Sequence, residues 1–353
     1  MENQDQNQGQ VHKRRVRYKG THPRNYKEKY KELQPDRYAD TVNRVIEKGG
    51  TPAGMHISIC VKEILEFLQI KPGQKGLDAT LGYGGHTQEM LKCLESEGHL
   101  YALDVDSIEL ARTRERLAGL GYGPEILTIR QMNFADIDKI AAEAGPFDFV
   151  LADLGVSSMQ IDNPDRGFSY KHEGPLDLRL NPEKGMTAAE RLSEITYEEF
   201  QGMLQENADE PYADEIARAV IAEIKGGREI ATTTRLRQVI GEALEFIPED
   251  KRKEAVKKSC QRTFQALRID VNSEFEVLYD FLEKLPEVLA PGGRAAILTF
   301  HSGEDRLVKK SFKRFLREGV YREISEDVIR PSAEECIRNS RAKSTKMRWA
   351  IKA

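Results

Sequence analysis

Hydrophobic residues recur with regular spacing from about residue 55 to residue 151. Short apolar runs typical of buried strands lie at 76–80, 99–103, 126–129 and 147–151. Apolar residues at helical spacing predict helices at 59–68, 90–94, 108–117 and 137–144. After the first helix, strands and helices alternate as β-α-β-α-β-α-β. This order predicts a parallel sheet wound with helices.

The alternation stops between about residues 168 and 260, where no convincing buried strand occurs. That stretch has helical patterns at 197–204, 213–224 and 234–243. A helix at 275–289 and a strand at 294–300 resume the rhythm, and alternation at Met347, Trp349 and Ile351 predicts an edge strand. We therefore expect an α/β fold, a Rossmann-like sheet with an inserted all-helical domain. The expected domains are a basic extension (1–50), the sheet domain (51–167 and 261–353) and the insertion (168–260).

Charge is unevenly distributed along the chain. Its 353 residues include 54 Lys and Arg against 58 Asp and Glu, and a net charge of −4 excludes a basic nucleic-acid coat. Basic residues still dominate two stretches, from Lys13 to Lys31 and from Arg306 to Arg348. Three tyrosines interleave with the first stretch: Tyr18, Tyr26 and Tyr30. Such clusters suit phosphate contacts and base stacking, but a charge run alone fits a solvated tail equally well.

Cysteine usage and hydropathy indicate the compartment. The four cysteines are scattered without a C-x-x-C pair, so we expect neither disulfides nor a metal site. The polar N-terminus lacks the apolar segment of a signal peptide. No apolar run approaches the roughly 20 residues of a membrane helix. We expect a cytoplasmic protein without a membrane partner.

A glycine-rich turn carries the first sign of chemistry. Gly82-Tyr-Gly84-Gly85 lies between a predicted strand and helix, where backbone can approach a ligand closely because glycine lacks a Cβ. The dinucleotide fingerprint would need a third glycine at Thr87, so a nicotinamide-dependent oxidoreductase is disfavoured. A cofactor without phosphates, such as S-adenosylmethionine, fits better.

Carboxylates follow two of the predicted strands. Asp104 lies roughly 20 residues beyond the glycines, where a carboxylate can accept both hydroxyls of a ribose. Asp153 ends the fourth strand, and because carboxyl ends of parallel strands share one edge, both can line one crevice. Phe134 could stack on adenine, although its spacing alone favours core packing. A DNA amino-methyltransferase is disfavoured because Asp153-Leu-Gly-Val stands where that class has a Pro-Pro motif.

The ordered motifs of this chain closely resemble one family, from about residue 55 to the C-terminus. The matching segments include His56-Ile-Ser58, Asp78-Ala-Thr-Leu-Gly-Tyr-Gly-Gly-His-Thr87, Asp153-Leu-Gly-Val-Ser-Ser-Met-Gln160, Arg166-Gly-Phe-Ser169, Gly174-Pro-Leu-Asp-Leu-Arg179, Thr263-Phe-Gln-Ala-Leu-Arg-Ile269 and Phe300-His-Ser302. They resemble the MraW/RsmH family of bacterial small-subunit (16S) rRNA (cytosine-N4)-methyltransferases. The resemblance implies an S-adenosylmethionine methyltransferase sheet whose helical insertion helps to recognise RNA. It implies cofactor binding by Gly84, Gly85, His86, Asp104, Phe134, Asp153 and Gln160.

Three departures from the family leave the substrate less certain than the cofactor. A mild hydrophobic exchange gives Pro175-Leu-Asp-Leu-Arg-Leu180 where the family usually has Pro-Leu-Asp-Met-Arg-Met. The usual His-Ser-Leu-Glu-Asp-Arg is here His301-Ser-Gly303-Glu-Asp-Arg306, and the basic arm before Met55 is extra. A paralogue acting on another RNA site, or an assembly protein that binds cofactor without catalysis, are the alternatives. The expected partner is ribosomal RNA in the small ribosomal subunit, and a homodimer is compatible with the sequence.

Three residues are candidates for the catalytic step, which is an in-line displacement at the methyl carbon. Asp153 could accept a hydrogen from the exocyclic amine of cytosine and so direct its lone pair. His301 and Glu304, after the fifth strand, could assist. For these two, a helix cap combined with an ion pair to Arg306 is an equally good interpretation.

Overall fold

A computed structural model describes residues 58–353 of the chain. The predicted basic extension at 1–50 lies outside the described residues.

The described residues form a seven-stranded sheet in the order β3-β2-β1-β4-β5-β7-β6. Its strands are β1 (Lys75–Asp78), β2 (His99–Asp104), β3 (Leu127–Gln131), β4 (Phe147–Asp153), β5 (Leu289–Thr299), β6 (Tyr321–Ile324) and β7 (Lys346–Lys352). The first five are parallel, and β7 pairs antiparallel with both β5 and β6. The strand order reverses beside β1 and β4, where parallel sheets of this kind form a crevice.

Helices cover both faces of the sheet. In chain order they are α1 (Val61–Leu68), α2 (Gly85–Leu94), α3 (Ser107–Gly119), α4 (Ile137–Ala144), α5 (Ser158–Asp162), α6 (Ala188–Glu194), α7 (Tyr197–Ala208), α8 (Ala213–Lys225), α9 (Thr233–Ala243), α10 (Glu249–Val271), α11 (Glu274–Val288), α12 (Ser302–Arg317) and α13 (Ala333–Arg338). Apolar residues of α4, α11 and α12 pack on one face of the sheet. Those of α1, α2 and α3 pack on the other. The predicted α/β fold class is confirmed.

The C-terminal strands differ from the prediction. β7 is not an edge strand, because the four-residue β6 adds outside it. The alternation that suggested an edge is imperfect, since Met347 and the neighbouring Arg348 are both buried. β6 gave no signal in the sequence because two of its four residues, Arg322 and Glu323, are charged and exposed.

The helices between residues 188 and 271 pack around a hydrophobic cluster of their own. That cluster runs from Phe168 to Leu267 and includes Phe200, Ile216 and Leu236, all buried. The predicted domain boundary at residue 260 falls inside α10, a continuous helix of 23 residues. One helix therefore begins in the helical part and ends beside the sheet. Among the described helices, none is long and apolar enough to cross a membrane.

Candidate active site

A cavity of about 1240 Å³ lies at the carboxyl ends of the parallel strands. The glycine turn after β1 and the ends of β2, β4 and β5 line its inner half. Residues of the helical part, among them Tyr170, Phe264 and Arg268, line the outer half. All the predicted cofactor and catalytic residues line this one cavity: Gly84, Gly85, His86, Asp104, Phe134, Asp153, Gln160, His301 and Glu304.

The carboxylate of Asp104 is held in place by the backbone around it. Its Oδ2 accepts the N–H of Gly82 at 2.7 Å, and its Oδ1 accepts the N–H of Asp106 at 2.8 Å. Each oxygen keeps a further lone pair, so the group can also accept two vicinal hydroxyls. Burial raises the pKa of Asp104 to about 6, although the two backbone hydrogen bonds oppose the shift.

The glycines of the turn are required by its geometry. Gly84 has φ 76°, in the left-handed region that other residues rarely adopt, and it precedes α2. A Cβ on Gly85 would lie 2.0 Å from the hydroxyl oxygen of Ser58. Behind the turn, Asp78 accepts a hydrogen bond from the hydroxyl of Thr87 at 2.6 Å and one from the Thr80 N–H at 3.1 Å. The turn is thus rigid and brings bare backbone to the cavity.

His86 and Asp153 form a pair across the cavity wall. Nε2 of His86 lies 2.9 Å from the carbonyl oxygen of Ile59, and because a carbonyl can only accept, Nε2 carries a hydrogen. Nδ1 then faces Oδ2 of Asp153 at 3.5 Å. With its hydrogen on Nε2, the neutral ring presents the lone pair of Nδ1 to this carboxylate oxygen.

The other oxygen of Asp153 is a buried acceptor at the cavity. Oδ1 is buried and has no hydrogen-bond partner among the described residues. Burial raises the pKa of Asp153 to about 6, opposed by His86 and reinforced by Asp78 and Glu304. A buried acceptor without a donor costs free energy. Such unpaired atoms are typical of binding sites, where a ligand supplies the missing donor.

Gln160 lines the cavity, but its amide is engaged with the protein. Its Oε1 accepts the Ser157 N–H at 2.8 Å in a capping box that begins α5. Its Nε2 donates to Oδ2 of Asp106 at 2.7 Å. The same oxygen of Asp106 accepts Arg166 Nη1 at 2.7 Å. Gln160 therefore acts on the cavity mainly by positioning, while its predicted role in cofactor binding stays a prediction.

Phe134 belongs to both the core and the cavity. It begins a short 3₁₀ turn whose Asn133 side chain accepts the Ala135 N–H. Its ring packs edge-on against Phe281 of α11, with centroids 5.2 Å apart. Phe134 thus packs in the core, as its spacing favoured, and also lines the cavity.

His301 and Glu304 form the N-terminal cap of α12. His301 is the N-cap residue, and Glu304 Oε2 accepts the backbone N–H of Phe300 at 2.8 Å. His301 Nε2 lies 3.1 Å from Glu304 Oε1. Burial would raise the pKa of Glu304, but contact with His301 and the Phe300 N–H lowers it. The capping interpretation describes the observed contacts, while a catalytic role stays a prediction.

The expected ion pair to Arg306 is absent from the described part of the chain. Arg306 is exposed and joins no ion pair among residues 58–353. Arg268 of α10 instead forms a two-pronged pair with Glu274, at 2.7 and 2.9 Å, beside His301 and Glu304. Neither Arg268 nor Glu274 was predicted as a site residue. Arg268 lies within the family segment Thr263-Phe-Gln-Ala-Leu-Arg-Ile269, which was a signal for it, whereas Glu274 lies in no such segment and is found only through its contact with Arg268.

The packing around α12 explains why residue 303 is glycine in this chain. A Cβ there would lie 2.6 Å from Cζ of Phe275 and 3.2 Å from Nδ1 of His301. The ring of Phe275, 5.8 Å from that of His301, fills the space that a side chain at 303 would need. The departure from the usual leucine therefore concerns packing behind the cap.

Introducing leucine at this position should destabilise the protein. We expect Gly303→Leu to cost about 1–3 kcal/mol in urea unfolding, because the ring of Phe275 must move. Phe275→Ala in the same chain should recover part of that loss, since it empties the space. A Gly303→Leu protein as stable as the wild type would contradict this explanation.

A twisted parallel sheet with a glycine turn and strand-end carboxylates around one cavity defines a Rossmann-like enzyme that binds an adenosine cofactor. Comparison with known proteins specifies the class further. The model of the MraW methylase family matches residues 53–353, and the chain belongs to that family. It is a methyltransferase with S-adenosylmethionine as methyl donor. The family resemblance drawn from the motifs is confirmed.

Several relatives are similar over most of their length. The chain is 75% identical over 348 residues to "Ribosomal RNA small subunit methyltransferase H 1" of Lachnoclostridium phytofermentans, covering 99% of this chain and 95% of that protein. It is 72% identical to "Ribosomal RNA small subunit methyltransferase H 2" of Alkaliphilus metalliredigens, covering 98% and 99%. A relative of the same kind from Koribacter versatilis is 38% identical, covering 84% and 93%.

Proposed function

We propose that this protein transfers a methyl group from S-adenosylmethionine to the N4 amine of a cytidine in small-subunit (16S) ribosomal RNA. The names of the similar proteins support the RNA substrate. The observation that carries the chemistry is Oδ1 of Asp153, a buried acceptor at the carboxyl end of β4 that has no donor among the described residues. An exocyclic amine has hydrogens to donate to such an acceptor.

The inner half of the cavity fits the cofactor. Asp104 offers a lone pair on each oxygen to a ribose diol, and Gly84 and Gly85, which line the cavity, would contact the methionine portion. Phe134 would flank the adenine. Bound there, the cofactor supplies an electrophilic methyl carbon on a positively charged sulfur.

Asp153 would align the amine and remove its proton. The cytosine amine is a weak nucleophile because its lone pair is delocalised into the ring. A hydrogen bond from the amine to Oδ1 would enrich its nitrogen and direct the lone pair at the methyl carbon. As the nitrogen–carbon bond forms and the carbon–sulfur bond breaks, the nitrogen sheds one proton, which Asp153 accepts. The opposite oxygen, Oδ2, lies 3.5 Å from Nδ1 of His86.

The decisive experiment is nucleoside mass spectrometry of ribosomal RNA from cells with and without the gene. Loss of N4-methylcytidine, restored by the wild-type gene, is the expected result. Loss of another methylated nucleoside would indicate a paralogue with a different site. An unchanged nucleoside profile would favour the assembly protein without catalysis.

The activity should depend on pH through the two buried carboxyl groups. Asp104 and Asp153 both have a pKa of about 6, so cofactor affinity and transfer rate should rise with pH through about 6 and then level off. Titration calorimetry with S-adenosylmethionine from about pH 5 to about pH 8 tests this. An affinity that stays constant over that range would contradict a role for ionised Asp104.

The raised pKa values of Asp104 and Asp153 predict that stability falls with rising pH, whereas activity rises. An unfolded aspartate titrates near 3.9, so the folded protein binds these protons more tightly than the unfolded chain. The contribution of both groups to the free energy of unfolding should therefore fall as pH rises from about 4 to about 6. The site thus holds its ionised carboxylates at a cost in stability.

We also propose roles for the helical segment, residues 168–260, and a compartment in which the protein acts. Residues 168–260 would contact the RNA around the target base, which has to be unpaired or withdrawn from its stack. Ribosomal RNA as substrate implies a cytoplasmic site of action. A homodimer stays a prediction.

A further inference from the structure

One face of α12 carries five cations that no acidic side chain of the described residues neutralises. These residues, called here the basic ridge, are Arg306, Lys309, Lys310, Lys313 and Arg317. All five are exposed, and none forms an ion pair with another residue in the range 58–353.

The other charges of this helix are accounted for. Glu304 is buried in the cap, and Asp305 pairs with Lys346 at 3.2 Å and Arg348 at 2.7 Å. Arg314 turns towards α11 and contacts Glu283 at 2.5 Å. Both acids of α12 are thus engaged by groups other than the ridge cations, and the positive charge of the ridge is left to other partners.

The ridge begins beside the cavity and leads away from it. His301, the N-cap of α12, and Glu304 line the cavity, whereas Arg306 lies just beyond them on the helix. Residues 306, 310, 313 and 317 recur at helical spacing, so they follow one face for about 16 Å. A chain leaving the cavity on this side would meet one cation in nearly every helical turn.

Phosphates match this surface better than a lipid bilayer does. The apolar residues of α12, among them Val308 and Phe312, are buried against the sheet. Leu316, 38% exposed, is the one large apolar side chain of α12 among the exposed large hydrophobic residues of the described part of the chain. An interfacial membrane helix needs an apolar face turned outward, and α12 turns its apolar face inward. A phosphate backbone needs only the charges and displaces counterions when it binds.

We infer that the basic ridge binds the backbone phosphates of the RNA strand that flanks the target nucleotide. This inference rests on the proposed function for the identity of the RNA. It assigns to α12 a docking role that is separate from chemistry, because none of its five cations lines the cavity.

The test compares two variants with equal loss of charge. The ridge variant is Arg306→Gln, Lys310→Gln, Lys313→Gln and Arg317→Gln together. The control is Lys62→Gln, Lys92→Gln, Arg112→Gln and Arg114→Gln, all on helices α1 to α3 over the other face of the sheet. The probe is a labelled single-stranded fragment of small-subunit ribosomal RNA, and its Kd is measured over a range of salt concentrations.

We expect the salt slope of log Kd to fall by about 2–3 for the ridge variant, since each phosphate that a cation no longer neutralises lowers it by about 0.7. The control should keep the wild-type slope, and kcat at saturating RNA should stay unchanged in both. A ridge slope equal to that of the wild type, or an equal decrease in the control, would overturn the inference. So would weaker binding to phosphatidylserine vesicles with the RNA slope retained, which would indicate a membrane surface.

Failure of the proposed function would look different. The salt slopes measure RNA binding and do not require methyl transfer. A wild-type protein that leaves cytidine N4 unmodified would therefore contradict the proposed function but not the docking role of the ridge. If the enzyme is active and the ridge variant keeps the wild-type salt slope of log Kd, only the docking role is contradicted.

Discussion

Asp153→Ala should lower the rate of single-turnover methyl transfer by about 10²–10⁴-fold, the range that a positioned proton acceptor contributes. The reason is geometric, since Oδ1 is a buried acceptor without a partner among the described residues. The measurement is a rapid-quench assay with labelled S-adenosylmethionine and saturating RNA, so that RNA affinity does not limit the rate.

A second variant separates chemistry from packing. Asp153→Asn keeps the shape of the side chain but cannot take a proton, so it should be nearly as slow as the alanine variant. It should also lack the fall in rate that the wild type shows as pH drops through about 6. Near-normal turnover in either variant would remove Asp153 from the mechanism.

The largest effect on stability is expected from Arg166→Met. Arg166 is 7% exposed and Asp106 is fully buried, and their contact is 2.7 Å. Removing one partner of a buried pair leaves an uncompensated charge and costs about 3–5 kcal/mol. Arg166 also donates to the carbonyl oxygens of Arg179 and Leu180, at 3.0 Å each, so the segment after α5 should loosen as well.

Urea unfolding with a matched control can test this. Arg338 forms a 2.5 Å pair with Glu334, and the two side chains are 71% and 73% exposed, so Arg338→Met should cost no more than about 1 kcal/mol. Equal effects of Arg166→Met and Arg338→Met would show that the buried pair is unimportant.

The cofactor half of the site was predictable because its signals are local. A glycine turn between a strand and a helix, followed by carboxylates at the ends of later strands, already implies one crevice when the strands are parallel. Asp104 and Asp153 were found in this way, and the structure brings both to the same cavity. Phe134 was ambiguous in the sequence because its ring serves the core and the cavity together.

Other parts of the site depend on contacts between distant segments. Asp106, Gln160 and Arg166 meet in one buried cluster, although 60 residues separate its ends in the chain. Arg268 and Glu274 form an ion pair at the cavity only in the folded protein, where α10 and α11 bring them beside the residues that follow β5. The reason for Gly303 appears only with the ring of Phe275 beside it.

The sequence by itself thus determined the α/β alternation, the glycine turn, the two strand-end carboxylates and the family, because hydrophobic period, backbone freedom and ordered motifs are properties of neighbouring residues. Tertiary structure alone decided that β7 lies inside the sheet, that Gln160 is tied to Asp106, and that Oδ1 of Asp153 lacks a partner among the described residues. It also decided which cations of α12 face solvent and which turn towards an acid. Burial, pairing and charge compensation depend on which distant groups arrive at the same place, and no local pattern encodes that.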